Sequence, residues 1–170
     1  MEDQLIQVDI YDKEVGYGTK EEIHRKGLLH RAFSVFLVDD DQMLIQKRHA
    51  DKYHSGGLWA NACCSHPRRD ESLEDAIERR LQEELGVTAP CRELCHFIYY
   101  MKFSEDMHEY ELDHVFLGTY DGDVHFDQTE IEEVKWVDFD WLEDDMEKNP
   151  DHYASWFLIA APKVLEFLRD

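Results

Sequence analysis

The segment Asn61 to Pro67 reads N-A-C-C-S-H-P and sets a thiol, Cys64, two residues before an imidazole, His66. If this segment is extended, residues i and i+2 project to one side. Cys64 and His66 then share a site and Cys63 turns away from it. The stretch H-E-Y-E-L-D-H-V-F repeats the device with carboxylates, since Glu109 and Glu111 flank Tyr110. One soft nucleophile or acid, one imidazole and two carboxylates on neighbouring strands are suited to proton transfer or metal binding. Taken alone, the same residues also describe a buried structural cysteine beside a surface histidine, and the matching carboxylate pair weighs against that reading. Together with His24 and His30 they offer three imidazoles and two carboxylates. His24, His30, His66, Glu109 and Glu111 would suit a divalent ion such as Mn²⁺, Mg²⁺ or Zn²⁺. The chain has ten histidines, so spacing alone is weak support for this set. His49, His54, His96, His108, His114, His125 and His152 are expected at surface or packing positions.

The elements that must hold these groups are legible from hydrophobic period. Leu5 to Ile10 alternates and predicts a half-exposed strand. Asp12-Lys13-Glu14, then Gly16 and Gly18, predict turns. Lys20 to Lys26 fits a short polar helix. Ala32 to Val38, A-F-S-V-F-L-V, is nearly continuous apolar sequence and predicts a central strand, with a turn at Asp39-Asp40-Asp41 and a returning strand from Met43 to Lys47. Arg48 to Leu58 is a polar loop. The clearest helix follows Pro67: Ser72 with Asp75 opens it as a capping box, Leu73, Ala76, Ile77, Leu81 and Leu85 line one stripe, and Gly86 ends it. Arg79 with Glu83 and Arg80 with Glu84 are i,i+4 ion pairs. Leu94 to Phe103, Tyr110 to Thr119 and Val134 to Val137 predict three more strands. Trp141 to Lys148 predicts an acidic helix, and Asp151 to Leu168 a helix kinked or broken at Pro162. Strands outnumber the interspersed helices, so the expected class is α/β (α+β), a mixed β-sheet sandwiched between helices, in a single domain over residues 1–170.

Composition narrows the function. A formal net charge of −21 argues against nonspecific nucleic-acid binding, which needs a basic surface. The same charge demands local basic residues if the substrate is an anion. Cys63, Cys64, Cys91 and Cys95 lack the paired spacing of a zinc ribbon. No apolar run approaches the roughly 20 residues of a membrane span, and the acidic opening is unlike a signal peptide. The expected setting is the reducing cytoplasm. No membrane or nucleic-acid partner is expected. A monomer is expected, with a weak homodimer as the alternative.

The helix carries a second signal, E-x7-R-R-L-Q-E-E-L-G-V from Glu71 to Val87. It resembles the Nudix box, G-x5-E-x7-R-E-U-x-E-E-x-G-U, with Ser65 in place of the first glycine and Arg80 in place of a glutamate. A Nudix hydrolase gathers helix carboxylates to hold Mg²⁺ on a diphosphate. Exchanging one of them for a guanidinium changes that cluster by two charge units and turns Arg80 toward the phosphate as a bidentate donor. A plain surface helix stitched by ion pairs is the competing reading of this segment. G-L-L-H-R-A-F-S-V-F at Gly27–Phe36, N-A-C-C-S-H-P, this helix, E-Y-E at Glu109–Glu111 and A-S-W at Ala154–Trp156 follow one another in an order that resembles the type 1 isopentenyl-diphosphate Δ-isomerases, a Nudix-fold family of isoprenoid biosynthesis.

The resemblance implies isomerisation of isopentenyl diphosphate to dimethylallyl diphosphate, through protonation and deprotonation by way of a carbocation-like state. It implies that His24, His30, His66, Glu109 and Glu111 hold one tightly bound divalent metal, and that Cys64 and Glu111 are the essential cysteine and glutamate. It implies a tyrosine near that glutamate, at Tyr99 with Tyr100 as the neighbour in register, and an aromatic facing the hydrocarbon at Trp156. Lys20, Arg48, Lys52 and Arg80 fall on diphosphate-binding positions, and Glu84 on a carboxylate for a substrate-associated Mg²⁺. The chemistry is consistent: protonating an unactivated alkene gives a tertiary cation, which needs a positioned acid, a base on the opposite face and an aromatic ring worth about 2 kcal/mol to a desolvated cation. A nearby metal and basic side chains are expected to favour the Cys64 thiolate. The alternatives are a Nudix-type diphosphate hydrolase, against which Arg80 speaks, and a noncatalytic metal-binding module.

Overall fold

The computed structural model describes residues 3–52 and 55–169; His54 lies outside them. Among the described residues the chain forms one mixed sheet of nine strands with helices against its faces. The strands are β1 (Gln4–Val8), β2 (Glu14–Thr19), β3 (His30–Asp39), β4 (Gln42–Arg48), β5 (Trp59–Ala60), β6 (Cys63–Ser65), β7 (Cys91–Ser104), β8 (Met107–Thr119) and β9 (Ile131–Asp138). The helices are α1 (Lys20–Lys26), α2 (Leu73–Leu85), α3 (Phe139–Lys148) and α4 (Ser155–Arg169), with a 3-10 turn at Pro150–His152.

β3 organises the sheet, as its apolar run predicts. One edge pairs in parallel with β8 along its length, from His30↔Glu111 to Val38↔Thr119. The other edge is shared in succession by β1 at His30, β6 at Phe33 to Val35 and β4 at Val38 and Asp39, all antiparallel. Strand alternation then divides the side chains between two faces. On one face Phe36 and Val38 of β3 and Val115 and Leu117 of β8 pack under Phe157, Ala160, Ala161 and Val164 of α4. On the other, Phe33, Val35 and Leu37 pack with Ala76, Ile77, Leu81 and Leu85, the predicted stripe of α2. The α4 face turns polar toward the start of β3: it runs from Phe36 to Ser34 and His30, and on β8 from Val115 to Asp113, Glu111 and Glu109, all buried. That polar end of an apolar layer is where the site lies.

The caps follow the sequence. Ser72 Oγ accepts from the Asp75 N–H at 3.1 Å, and Gly86 closes α2 with φ 63°. Thr19 Oγ1 accepts from the Glu22 N–H at 3.2 Å, and Gly27 ends α1 with φ 67°. Two expectations need correction. Gly16 and Gly18 lie inside β2; the turn precedes them, with Asp12 at φ 65°. Both pack closely: a Cβ on Gly16 would sit 2.9 Å from Gln7 Oε1, the mobile end of a side chain, and one on Gly18 3.1 Å from Ile23 Cγ1. Pro162 does not break the last helix, which begins at Ser155 and runs through it to Arg169. The lost N–H is one bond in a helix whose Ala160, Ala161, Val164 and Leu165 are buried on both sides of the proline.

Candidate active site

β6 is three residues long, yet its register sets the chemistry. Ser34 pairs with Cys64 and Val35 with Cys63. Cys64 therefore faces the polar end of the α4 layer, and Cys63 faces α2, where its thiol donates to Glu84 Oε2 at 2.8 Å. His66, two residues on, returns to the side of Cys64, and its Nε2 lies 3.2 Å from Glu111 Oε1. The parallel register puts His30 beside Glu111, with Nε2 3.7 Å from the same oxygen. α1 swings His24 in from the sheet edge, and its ring stands 5.2 Å from that of His30 and 5.9 Å from that of His66.

Four ligand atoms, one each from His24, His30, His66 and Glu111, all lie within 4.8 Å of one another. The donor set fits a divalent cation on two further grounds. His24 Nδ1 donates to Lys20 O at 2.8 Å and His30 Nδ1 donates to Leu28 O at 3.0 Å. A carbonyl only accepts, so each hydrogen is held on Nδ1 and each Nε2 is the lone pair turned to the cluster, the arrangement that orients metal-bound imidazoles. His30 Nε2 is also buried without a hydrogen-bond partner, a costly state that a cation would relieve. Burial, and then the facing imidazoles, push His24 down to about 3. Burial likewise takes His66 down to about 4. Burial works to raise the Glu111 carboxyl, but the His30 and His66 imidazoles facing it outweigh burial and hold Glu111 well below the usual carboxylate range. Neutral imidazoles beside an ionised carboxylate are the protonation states a metal requires. Glu109 is buried in the wall of the adjoining recess and stands outside the group of four.

Cys64, His66, Glu109, Glu111 and Trp156 line one recess of about 90 Å³, with Lys20, Arg48, Lys52 and Arg80 on its wall. A wider cleft of about 620 Å³ adjoins it and shares Lys20, Ser65, His66, Arg80 and Glu130. All four predicted basic residues thus converge on one opening in an otherwise acidic protein, and the Lys20 ammonium is lowered by burial and by the three other cations. Arg80 is tied to Glu130 at 3.1 Å and approaches Glu84 at 3.6 Å, and Lys52 reaches Glu130 at 3.6 Å. Glu84 itself is buried between Cys63 and Arg80. Arg79 does not join the opening in the same way, because both oxygens of Glu71 bind it, at 2.9 and 3.0 Å, so this pair braces the loop into α2. Tyr99 is the cross-strand partner of Glu111 and is buried, whereas Tyr100 is 54% exposed on the other face, which fixes the register left open by their adjacency.

One expectation about Cys64 changes. Burial raises its thiol far more than the Arg48 charge lowers it, so without a metal the group is a protonated thiol and not a thiolate. Four other residues belong to the site. Asn61 is fully buried and accepts from Trp156 Nε1 at 3.1 Å and from Cys64 Sγ at 3.8 Å through the same Oδ1. Its Nδ2 donates to the carbonyls of Val35 and Cys63 at 3.0 and 2.8 Å, so its own orientation is fixed. Asp113 accepts from Ser34 Oγ at 2.8 Å, and burial and the Glu111 charge raise its carboxyl well above the usual range. Asp113 was within reach of the alternation that found Glu109 and Glu111, and Ser34 is the lone polar residue in A-F-S-V-F. Glu130 carries no local signal, because its partners are brought to it only by the fold. Glu111 is lowered and Asp113 raised, so the two carboxyls are pushed apart by environment, a common mark of acid–base chemistry.

The chain matches the family of the NUDIX domain over residues 28–157. It is 44% identical over 166 residues to isopentenyl-diphosphate Delta-isomerase 2 of Aromatoleum aromaticum, covering 97% of this chain and 88% of that protein. It is 44% identical over 158 residues to isopentenyl-diphosphate Delta-isomerase 2 of Photorhabdus laumondii, covering 92% and 89%. Among solved structures it resembles DR0079 from Deinococcus radiodurans with a TM-score of 0.70 at 19% identity, covering 86% of this chain and 90% of that one. It resembles the MutT protein from Methanosarcina mazei with a TM-score of 0.60 at 19% identity, covering 76% and 88%. The structural likeness concerns the fold alone.

Proposed function

This chain belongs to the NUDIX family and, within it, to the isopentenyl-diphosphate Delta-isomerases, and from that premise we propose that it interconverts isopentenyl and dimethylallyl diphosphate by relocating a carbon–carbon double bond. The observation that carries this reading is the meeting of Cys64 and Glu111 in one recess walled by Lys20, Arg48, Lys52 and Arg80. Hydrolysis fits less well, since Arg80 replaces a carboxylate of the helix.

The basic quartet binds the diphosphate at the mouth and turns the hydrocarbon inward. Cys64 and Glu111 are the two proton-transfer groups. One delivers a proton to a carbon of the alkene and the other takes one from a second carbon; at rest the thiol holds its proton and the carboxylate is ionised. Tyr99, beside Glu111, positions that carboxylate. The ring face of Trp156 stabilises the cationic carbon between these steps. Arg48 lies over the Trp156 ring at 5.0 Å from its centroid, which sets a diphosphate-binding cation next to the aromatic wall. Asn61 holds Trp156 and Cys64 in mutual register.

His24, His30, His66 and Glu111, with Glu109 beside them, hold a tightly bound divalent ion, of which Mn²⁺, Mg²⁺ and Zn²⁺ suit the donors. Glu84 serves a Mg²⁺ that enters with the diphosphate, the usual way that ion is bound. Bound ions supply positive charge for phosphate and carboxylate oxygens. The chain acts as a single domain and a monomer, on a small diphosphate, in the cytoplasm, with no membrane or nucleic-acid partner. Its charge of −21 supports the last point, and no helix among the described residues is long and apolar enough to cross a membrane.

The test is turnover of isopentenyl diphosphate in deuterated water. Dimethylallyl diphosphate carrying deuterium on carbon, with both phosphates retained, is the expected product. Phosphate release without that product would overturn the isomerase reading in favour of hydrolysis.

A further inference from the structure

β8 carries a second cluster on its opposite face. His114 is the cross-strand partner of His96 on β7, and the two rings stand 5.6 Å apart. Cross-strand partners hold their Cβ atoms about 5 Å apart, so two such imidazoles can reach one ion. Glu93 completes the group only because β7 is irregular. Glu93 and His96 are three apart and would point to opposite faces of a regular strand. The register shifts between Glu93 and Cys95, where Glu93 pairs with Phe116 and Cys95 with Val115. The extra residue, Leu94, restores Glu93 to the side of His96 and His114. Three ligand atoms, from Glu93, His96 and His114, lie within 4.8 Å of one another.

We propose that Glu93, His96 and His114 form a second cation site, for a borderline transition ion of the Zn²⁺ type, on the face of β8 turned away from the reaction. Two imidazoles with one carboxylate favour Zn²⁺, Ni²⁺ or Cu²⁺ over Mg²⁺ or Ca²⁺, which prefer all-oxygen donors. The support behind the ligands is built as metal sites are built. His114 Nε2 meets Asp12 Oδ2 at 2.9 Å, and Asp12 Oδ1 accepts from Arg31 Nε at 2.8 Å. A carboxylate behind a histidine fixes the ring and leaves the other nitrogen, Nδ1, for the ion. That nitrogen faces Glu93 Oε2 at 2.7 Å. At that distance the two share a hydrogen, and a cation bound between them takes its place with release of that proton to solvent. His96 is largely exposed, with 62% of its side chain accessible, so the ion enters from solvent and water completes its coordination. All three ligands lie on the long β7–β8 ribbon, so the bound ion clamps that hairpin, and the Asp12–His114 bond links it to the turn between β1 and β2. The consequence is stability, because a ligand that binds only the folded chain raises its melting temperature.

Equilibrium dialysis of the intact enzyme against Zn²⁺ tests this, beside the variants His96→Ala and Glu93→Gln. Both residues lie outside the reaction site, and neither change removes a buried side chain. The wild type is expected to bind one Zn²⁺ more per chain than either variant. Its melting temperature should rise with Zn²⁺ more than theirs, while turnover is unchanged in all three. A His24→Ala protein, with the first cluster broken, should keep the second ion, which separates the two sites. Equal stoichiometry in the wild type and both variants would overturn the proposal and leave Asp12, His114 and Glu93 as a hydrogen-bonded brace alone.

Discussion

The two faces of β8 put similar residues to different physical uses. On the odd-numbered face, Glu109, Glu111 and Asp113 are buried and Glu111 meets His24, His30 and His66 with little solvent, and burial is the largest influence on the titration of His24, His66, Glu111 and Asp113. On the even-numbered face, His114 has each ring nitrogen on a carboxylate, Glu93 and Asp12, and both acids reach solvent. The first face leaves buried lone pairs and one ionised carboxylate directed inward, a state held only by the surrounding fold. The second satisfies its polar groups at the surface. Desolvation is thus what makes one set of histidines and acids reactive and leaves the other a brace with room for an ion.

The largest expected effect breaks the first face. Glu111→Gln keeps the volume but removes a proton-transfer group and a ligand, and should lower kcat by at least ~10³-fold, within the range of general acid–base losses. Glu93→Gln, on the other face, should leave kcat/KM within about twofold. Steady-state assays of both under one set of conditions check the contrast, and equal losses would abolish it. Cys64→Ala should also stop turnover with metal content intact, whereas Cys63→Ala, facing α2, should leave turnover nearly unchanged.

Asn61 sharpens the comparison by testing geometry without proton chemistry. Asn61→Ala should cut kcat by about 10²-fold, the scale expected when reacting groups move by about an ångström. KM should move much less, and the pH profile should keep its shape. A loss confined to KM would mean that Asn61 does not align Trp156 and Cys64.

A smaller effect is the acid response of the chelated protein. His24 and His66 fall to about 3 and 4 in the folded chain, against 6.5 when unfolded. The unfolded chain therefore takes up protons first, and the stability these groups contribute is complete above about pH 6.5 and lost as pH falls toward 4. Thermal melts across that window should show a decline that shrinks in His24→Ala. A decline of equal size in that variant would assign it to other groups. Smallest of all, Asp113→Asn replaces a carboxyl that is already neutral and should keep the metal and most of the activity. Metal analysis and kcat measure this, and complete loss would mean that Asp113 works as an ion.

Strand and helix positions were legible because period is a local property: β3 and α2 lie where the apolar spacing and caps put them. The two glycines of β2 were misread because glycine marks turns in general, and here both lie in a strand, with Gln7 and Ile23 close beside them. The same alternation that paired Cys64 with His66 and Glu109 with Glu111 set their faces correctly, since i,i+2 geometry needs no partner strand.

The sequence by itself therefore determined which residues of a regular strand share a face, where α2 begins and ends, and which residue types could handle a proton, a cation and a phosphate. It could not determine which of ten histidines meet, because the His30↔Glu111 pairing joins segments far apart in the chain. Nor could it place Glu93 beside His96, which depends on a bulge, or show that Cys64 is a thiol and Asp113 a neutral acid. Register and burial decided these points: the first is a relation between strands and the second a property of everything packed around a group, and neither is written in the neighbours along the chain.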